Sequence, residues 1–444
     1  MSSKNIRRNP SFAYEEVNPV PNLNLPELKE VRCVKKIDTG KLVVYCEAAK
    51  RHMDGCLCCG SINYYVHGHK RDRIVHDTSM GLVHIDLLID VPRYKCNDCG
   101  GTFMHPFDCI VNGKKFTKRL YEQIEIRGLN GSFASLEKEY ATSITTVAKI
   151  VLKYARNIDK NRVLTAPRVL GIDEKYIQKK MRGVFVDIES SKLLEITMDN
   201  KSKTIQETIE SMLYYENIEV VTIDMHKPYL SLVNEILPHS KVVIDKFHVF
   251  KNLYERVHNA KKTICKAIRE QLDCLAEDDD KKSKVELISK FNKDGYILKY
   301  NLKNLTKNID RLHLLCLVCE IFSEINLLRT LKEEFELIYN SQTRYEAELH
   351  FEEWKDKIPK KDPLFSEIYE FSKTVDRWRE YIFNYFDDGC RYTNAAAEGF
   401  NSRIGHINNA GRGHSFEMMR LKALYSTNAS DMPDNKIRKK DFFN

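Results

Sequence analysis

Two aspartates, Asp224 and Asp245, each close a short run of β-branched residues within 220–251, VVTIDMHKPYLSLVNEILPHSKVVIDKFHVFK. Runs of this kind are strands buried on both faces, and a carboxylate where such a strand runs out sits at the rim of the sheet, where α/β folds place their chemistry. An acid at that rim can hold a metal ion, act as a base or cap the next helix. A similar run upstream, RVLGID, ends in Asp173. Its neighbour Glu174 is expected to face the other way, because adjacent residues of a strand point to opposite sides. Far downstream, residues 392–416 read YTNAAAEGFNSRIGHINNAGRGHSF, where three alanines precede Glu398 on an expected helix. Small residues around an acid leave room for a large substrate, and Arg403, His406, Arg412 and His414 suit a phosphate backbone. A lone glutamate on a helix ordinarily faces water, so the case for Glu398 depends on what it meets in space.

The cysteines suggest a second chemistry. Eight of the 13 fall before residue 110, and with no secretory signal core at the N-terminus a metal site is a better reading than disulfides. Cys56-x2-Cys59 and Cys96-x2-Cys99 are each followed by glycine, Gly60 and Gly100. A two-residue gap lets both thiolates of a knuckle converge on one ion while the amides of the tight turn point at sulfur, and two knuckles complete a tetrahedral Zn²⁺ site. Four protein ligands leave no open position, which makes the expected role structural. Cys58 competes as a ligand, and His67, His69 or His105 could replace one cysteine. By contrast, Cys316-x2-Cys319 lies in LHLLCLVCEIF, where core packing is the expected role.

The elements that must position these residues follow from pattern and length. At 444 residues, several domains are expected. No apolar run approaches the length of a membrane helix, so a cytoplasmic protein without a membrane partner is expected. The net charge of +8 suits a polyanion. Residues 1–30 are polar and aperiodic and are expected to form a flexible arm. Over 31–110 short alternating runs, including a hairpin at Thr39-Gly40, define a β-rich zinc-binding domain whose knuckles are separated by short strands. Residues 111–165 switch to helical periodicity, with helices at 133–140 and after Ser143, and are expected to form a helix-turn-helix. Its recognition helix would run over 144–154 and offer Ser143, Thr145, Thr146 and Lys149 to DNA.

Beyond Pro167 the order is three strands, helix, strand, helix, strand, helix, with a hairpin at Ser190-Ser191 that gives Asp187 a structural role along with Asp199. The α/β pattern covers 166–260, a nearly all-helical block over 261–385 reads as an insertion or an appended domain, and 386–430 and a tail at 431–444 follow. DDDKKSK at 278–284 reads as a solvated loop or turn, and Trp354 and Trp378 as core.

Four motifs, GIDE at 171–174, TIDMHKPY at 222–229, DKFHVFK at 245–251 and TNAAAEGFNSRI at 393–404, together with the paired CxxCG and YKCxxC knuckles, resemble the signatures of the ISL3 family of bacterial insertion-sequence transposases. The resemblance covers about residues 30–425 in the family's order. It implies an α/β, ribonuclease-H-like DDE catalytic fold that joins 166–260 and 386–430 into one catalytic domain with a long all-α insertion, preceded by a β-rich zinc-binding domain and a helix-turn-helix. Asp173, Asp224 and Glu398 correspond to the three acids and would hold Mg²⁺ or Mn²⁺, with two ions roughly 3.5–4 Å apart. Asp245 and His248 match a D-x2-H motif and are secondary candidates. Arg403 and Arg412 join the DNA-binding set.

The implied reaction is nicking at terminal inverted repeats and attack of the freed 3′ hydroxyl on target DNA, by a homodimer or higher oligomer associated with the bacterial nucleoid. Two other classes stay open at this point: a catalytically inactive DNA-binding regulator, and a ribonuclease-H-like nuclease without strand transfer.

Overall fold

The computed structural model describes residues 14–50, 53–81, 83–276, 278–300, 305, 308–411 and 413–426. Residues 1–13 of the expected arm, the tail at 431–444 and Arg412 lie outside the described residues, whereas 14–30 hold a strand and the buried Leu23, Leu25 and Leu28. The chain divides into two compact units, 1–162 with 410–429 and 163–409 with 430–444.

The first unit holds a six-stranded sheet and three consecutive helices. Strands β1 (Tyr14–Glu16), β2 (Leu28–Lys36), β3 (Leu42–Ala48), β4 (Tyr64–Met80), β5 (Val83–Cys96) and β6 (Thr102–Met104) are ordered β1-β2-β3-β5-β4, with β6 on β5. The Thr39-Gly40 turn joins antiparallel β2 and β3, and Gly40 takes the left-handed φ of 66° that the tight turn requires. The separator between the knuckles is not a set of short strands. It is one long antiparallel hairpin, β4–β5, bent by three register shifts. Alternation along β5 buries Ile85, Leu87, Ile89 and Val91 against Val44, Cys46 and Val75.

Helices α1 (Lys118–Asn130), α2 (Phe133–Tyr140) and α3 (Ile144–Lys160) are capped by the hydroxyls of Thr117, Ser132 and Ser143. Leu120, Ile124, Leu136, Val147 and Val151 recur at helical spacing and form their common core. Gly128 permits the approach of α1 to α3, since a Cβ there would lie 2.0 Å from Val151. The last described helix, α14 (Phe416–Tyr425), returns to this core through Met418 and Leu421.

In the second unit the order is β7 (Val169–Ile177), β8 (Lys180–Asp187), β9 (Lys192–Ile196), α4 (Ser202–Glu210), β10 (Val220–Ile223), α5 (Lys227–Ile236), β11 (Lys241–Ile244) and α6 (Lys246–Asp273). The five strands lie in the order β11-β10-β7-β8-β9. β7, β8 and β9 form an antiparallel meander, and β10 and β11 run parallel to β7. The parallel strands need crossover helices, supplied by α4 and α5. Asp187 accepts from Ser190 in the β8–β9 turn, where Ser191 adopts a φ of 50°.

After α6 come α7 (Asp279–Lys293), α8 (Ile309–Ile321), α9 (Ser323–Ile338), α10 (Arg344–Asp356), α11 (Ser366–Arg377), α12 (Arg379–Phe383) and α13 (Ala395–Ala410). The acidic run is not a loop. Asp278 caps α7 and Asp279 and Asp280 occupy its first turn, where carboxylates offset the helix dipole. Trp354 and Trp378 are core residues. Trp354 donates its ring N–H to the Leu331 carbonyl at 2.7 Å. Cys316, however, is exposed, and the buried positions nearby are Leu315 and Val318.

Candidate active site and thiol cluster

Parallel register brings three aspartates to one edge. Thr222 of β10 lies opposite Gly171 of β7 and Val243 of β11. Continuing both registers by two residues sets Asp224 between Asp173 and Asp245. Two-residue periodicity puts Gly171 and Asp173 on one face of β7. A Cβ on Gly171 would come within 2.9 Å of Asn394 Oδ1 and 2.5 Å of Ile188, so glycine permits the close packing there.

Asp173 is 6% exposed. Its Oδ2 accepts from Asn401 Nδ2 at 2.6 Å and its Oδ1 from the Glu174 N–H at 2.7 Å. Asp245 caps α6 and is 1% exposed. Its Oδ1 accepts from the Asn394 N–H at 3.1 Å, while its Oδ2, like Asp224 Oδ1, is buried with no hydrogen-bond partner among the described residues. Leaving carboxylate oxygens so placed is costly unless something positive meets them.

His248, in the first turn of α6, stands between the acids. Its Nε2 lies 3.7 Å from Asp173 Oδ1 and its Nδ1 3.8 Å from Asp224 Oδ2. Burial alone would lower the imidazole pKa, but Asp173, Asp224 and Asp245 outweigh it and raise the value. Burial raises the Asp224 carboxyl above its ordinary range, opposed by His248 and reinforced by Glu174 and Asp173. Burial likewise raises Asp245.

Glu398 lies on α13, half-buried, four residues after Asn394 and three before Asn401. Those two asparagines anchor the helix. Asn394 accepts through its side chain from the Thr222 hydroxyl and Asn401 donates to Asp173. Residues spaced by three and four share a helix face, so Glu398 lies on the face that meets β7 and β10. Arg403 is half-buried on the same helix, and burial lowers its pKa.

Sequence reasoning did not single out the asparagines. Their spacing of seven, with Glu398 between them, was the available signal. It also set Glu174 aside, yet this carboxylate accepts from Asn200 Nδ2 at 3.0 Å and contributes to the field at Asp224.

In the first unit the β4–β5 hairpin explains how the knuckles meet across their long separation. Tyr64, at the start of β4, pairs with Cys96, at the end of β5, folding the intervening residues back on themselves. Cys56 and Cys99 sulfurs lie 3.7 Å apart and those of Cys59 and Cys96 3.6 Å. Four thiolates about 2.3 Å from one tetrahedral Zn²⁺ would be separated by about 3.8 Å. All four sulfurs lie within 4.8 Å of one another.

Gly60 and Gly100 take φ of 75° and 69°, and the N–H groups of Cys58 and Gly101 lie 3.4 Å from Cys56 and Cys99 sulfurs. The amides of Cys59 and Cys58 lower the Cys56 thiol to about 7. Despite the Gly101 amide, the neighbouring Cys59 sulfur pushes the Cys99 thiol up to about 12. Cys58 is exposed and outside the four-sulfur group. His69 pairs with Asp90 at 3.2 Å and His105 lies 3.4 Å from the Tyr94 hydroxyl. The donor set fits a cation held by four cysteines.

Among the expected DNA-facing residues, Thr145 and Lys149 are exposed on α3. Ser143 is also exposed, but its hydroxyl accepts from the Thr146 N–H as the helix cap. Thr146 is half-buried. Among the described residues no helix is long and apolar enough to cross a membrane.

The chain is thus a mixed α/β protein with acids gathered at the ends of adjacent strands and a separate four-thiol cluster. The profile of the ISL3-type DDE transposase family, described as transposase, matches residues 170–423. That is more than half of the chain, which therefore belongs to this family. No curated protein matches it significantly.

Proposed function

We propose that the protein is an insertion-sequence transposase that binds the terminal inverted repeats of its element and cuts and rejoins DNA at the strand-end acids of the unit 163–409. The observation that carries this reading is the in-register meeting of Asp173 and Asp224, with the helix of Glu398 tied to the first through Asn401. The β11-β10-β7-β8-β9 order, a three-stranded meander extended by two parallel strands, supports a ribonuclease-H-like catalytic domain.

In this reading Asp173, Asp224 and Glu398 are the DDE acids. Asp224 Oδ1, a hard oxygen donor buried without a partner, fits a bound Mg²⁺ or Mn²⁺. Such ions would lower the pKa of an attacking water or 3′ hydroxyl and offset charge on the leaving oxygen. The chain's own part is positioning. Asn401 and the Glu174 N–H orient Asp173, the Asn394 N–H orients Asp245, and the His248 imidazole stands between Asp173 and Asp224. The helical stretch between the second and third acids is the insertion.

The first unit supplies DNA recognition. Cys56, Cys59, Cys96 and Cys99 hold a structural Zn²⁺, and α2 and α3 form a helix-turn-helix whose exposed Thr145 and Lys149 meet DNA. Ser143, Thr146, Arg403 and Arg412 complete the proposed DNA-binding set. A homodimer or larger oligomer would bring two element ends together.

The decisive assay is cleavage and strand transfer on DNA carrying the element's ends, with Mg²⁺ or Mn²⁺. Asp224→Asn is expected to abolish both steps while end binding stays within about twofold, since the change is isosteric and falls outside the unit that carries the recognition helices. Normal cutting by that variant would sink the mechanism. Cutting without joining by the wild-type protein would instead mark a nuclease, and end binding without either step a regulator.

A further inference from the structure

Helix α6 begins at the acids, capped by Asp245 with His248 in its first turn. The same helix carries a second stripe, Phe247, Phe250, Tyr254 and Val257, spaced three or four residues apart, which lines a cavity of about 680 Å³. The cavity is also lined by Tyr296, Leu298 and Lys299 of the segment that follows α7. Two of its aromatic rings are open to solvent: Phe247 is 49% exposed and Tyr296 61%. A single exposed ring is ordinary, but these two border one cavity.

Cations surround these rings. Lys251 and Lys299 are exposed at the cavity. Lys299 Nζ lies 5.9 Å from the ring centres of both Tyr254 and Tyr296. Lys261 is spent internally on the carbonyls of Phe291, Asn292 and Asp294, and among the described residues Glu255 is the one carboxylate lining the cavity. The tyrosine wall is fixed, because the Tyr254 hydroxyl donates to Glu336 at 2.7 Å.

An aromatic slot with lysines at its rim matches a nucleobase with its flanking phosphates. Every base offers a π-face, and stacking on aromatic side chains needs no particular sequence. A cavity of this size is ample for one nucleotide. Its place is equally specific. The Phe247 ring is 5.5 Å from that of His248, which itself lies 3.7 Å from Asp173 and 3.8 Å from Asp224. A strand whose phosphate lies at the acids therefore passes the slot within a few nucleotides.

We propose that the α6 cavity receives a base unstacked from the DNA strand beside the scissile phosphate, with Phe247 and Tyr296 as stacking platforms and Lys251 and Lys299 on the adjoining phosphates. This rests on reading 163–409 as the cleaving unit. Holding the base out of the helix fixes the strand's position at the acids and opens the duplex where it is cut.

The test uses the full-length, zinc-loaded protein and duplexes carrying the element's terminal repeat. 2-Aminopurine replaces one base at a time at each position within a few nucleotides of the cut, on either strand. With Ca²⁺ in place of Mg²⁺, fluorescence on binding is expected to rise severalfold at one position and remain low elsewhere. Phe247→Ala and Tyr296→Ala should each remove most of that rise and slow cleavage in Mg²⁺ by about fivefold to 100-fold. Phe247→Tyr should restore both. Both alanine sites are solvent-exposed, so folding is not at stake. If the wild-type protein cleaves the ends but no position brightens, or brightening survives in both alanine variants, the proposal is overturned and the transposase reading stands. If the wild-type protein cannot cleave the ends at all, that reading falls and takes this inference with it.

Discussion

Asn401 donates its side-chain amide to Asp173 at 2.6 Å across a separation of 228 residues. This bond ties the helix bearing Glu398 to the strand bearing Asp173, and Asn401 is only 9% exposed. If these are the proposed acids, Asn401→Leu is expected to loosen Glu398 rather than the fold. Losing one bond to a buried carboxylate costs on the order of 1–3 kcal/mol. Cleavage should fall roughly 10- to 100-fold with end binding unchanged. Equal loss of cleavage and binding would show that the residue serves general folding instead.

Glu398 and Glu174 compete for the place of third acid. Glu398 is set by the register of α13, while Glu174 follows Asp173 directly and is held by Asn200. Glu398→Gln is expected to remove cleavage by at least about 1,000-fold, and Glu174→Gln by about tenfold or less. Metal-dependent nicking rates for the two variants decide the matter, and the reverse order would reassign the acid.

The four-thiol cluster predicts a clean division among cysteines. Cys96→Ser should lower bound zinc from about one per chain to near zero and unfold the β4–β5 hairpin. Cys58→Ser should keep full zinc. Metal content by atomic absorption, with circular dichroism, separates the two. Unchanged zinc in the first variant would remove Cys96 from the ligand set.

Lys422 gives a pH signature. It is 5% exposed in the first unit, donates to the Gly131 carbonyl at 2.6 Å and lies 4.6 Å from the centre of the Phe133 ring. Burial lowers its pKa to about 8, against about 10.4 in an unfolded chain. Between those values the unfolded state binds more protons, so stability rises with pH through that window. Below about pH 8 the buried charge costs on the order of 3 kcal/mol. Lys422→Met should thus be the more stable protein at pH 7 and lose that advantage by pH 10. Denaturant unfolding of both proteins at several pH values measures the difference, and a pH-independent gap would refute the assignment.

What could be read from the chain and what could not have different physical origins. VVTID and KVVID announce buried strands because β-branched runs have few other uses, and both end in acids at the sheet edge. The order of strands and helices across 169–246 likewise follows from local pattern. The knuckles are local chemistry and reveal themselves by spacing. Pairings across distance carry no such mark. Nothing in the run from Tyr64 to Cys96 says that one hairpin will close the thiol cluster, and nothing in TNAAAEGFN says that its asparagines meet Thr222 and Asp173. DDDKKSK misleads by composition: solubility and a helix N-terminus both ask for acids, and only the capping bond of Asp278 distinguishes them.

The return of α14 to the helices of the first unit has a temporal consequence. Synthesis runs from the N-terminus, so Met418 and Leu421 can complete the first unit's core only after 163–409 has been made, and Asn401 can seat α13 only long after the strand of Asp173. A product truncated before residue 401 would lack the seat of Glu398 and the cover of the helical core alike.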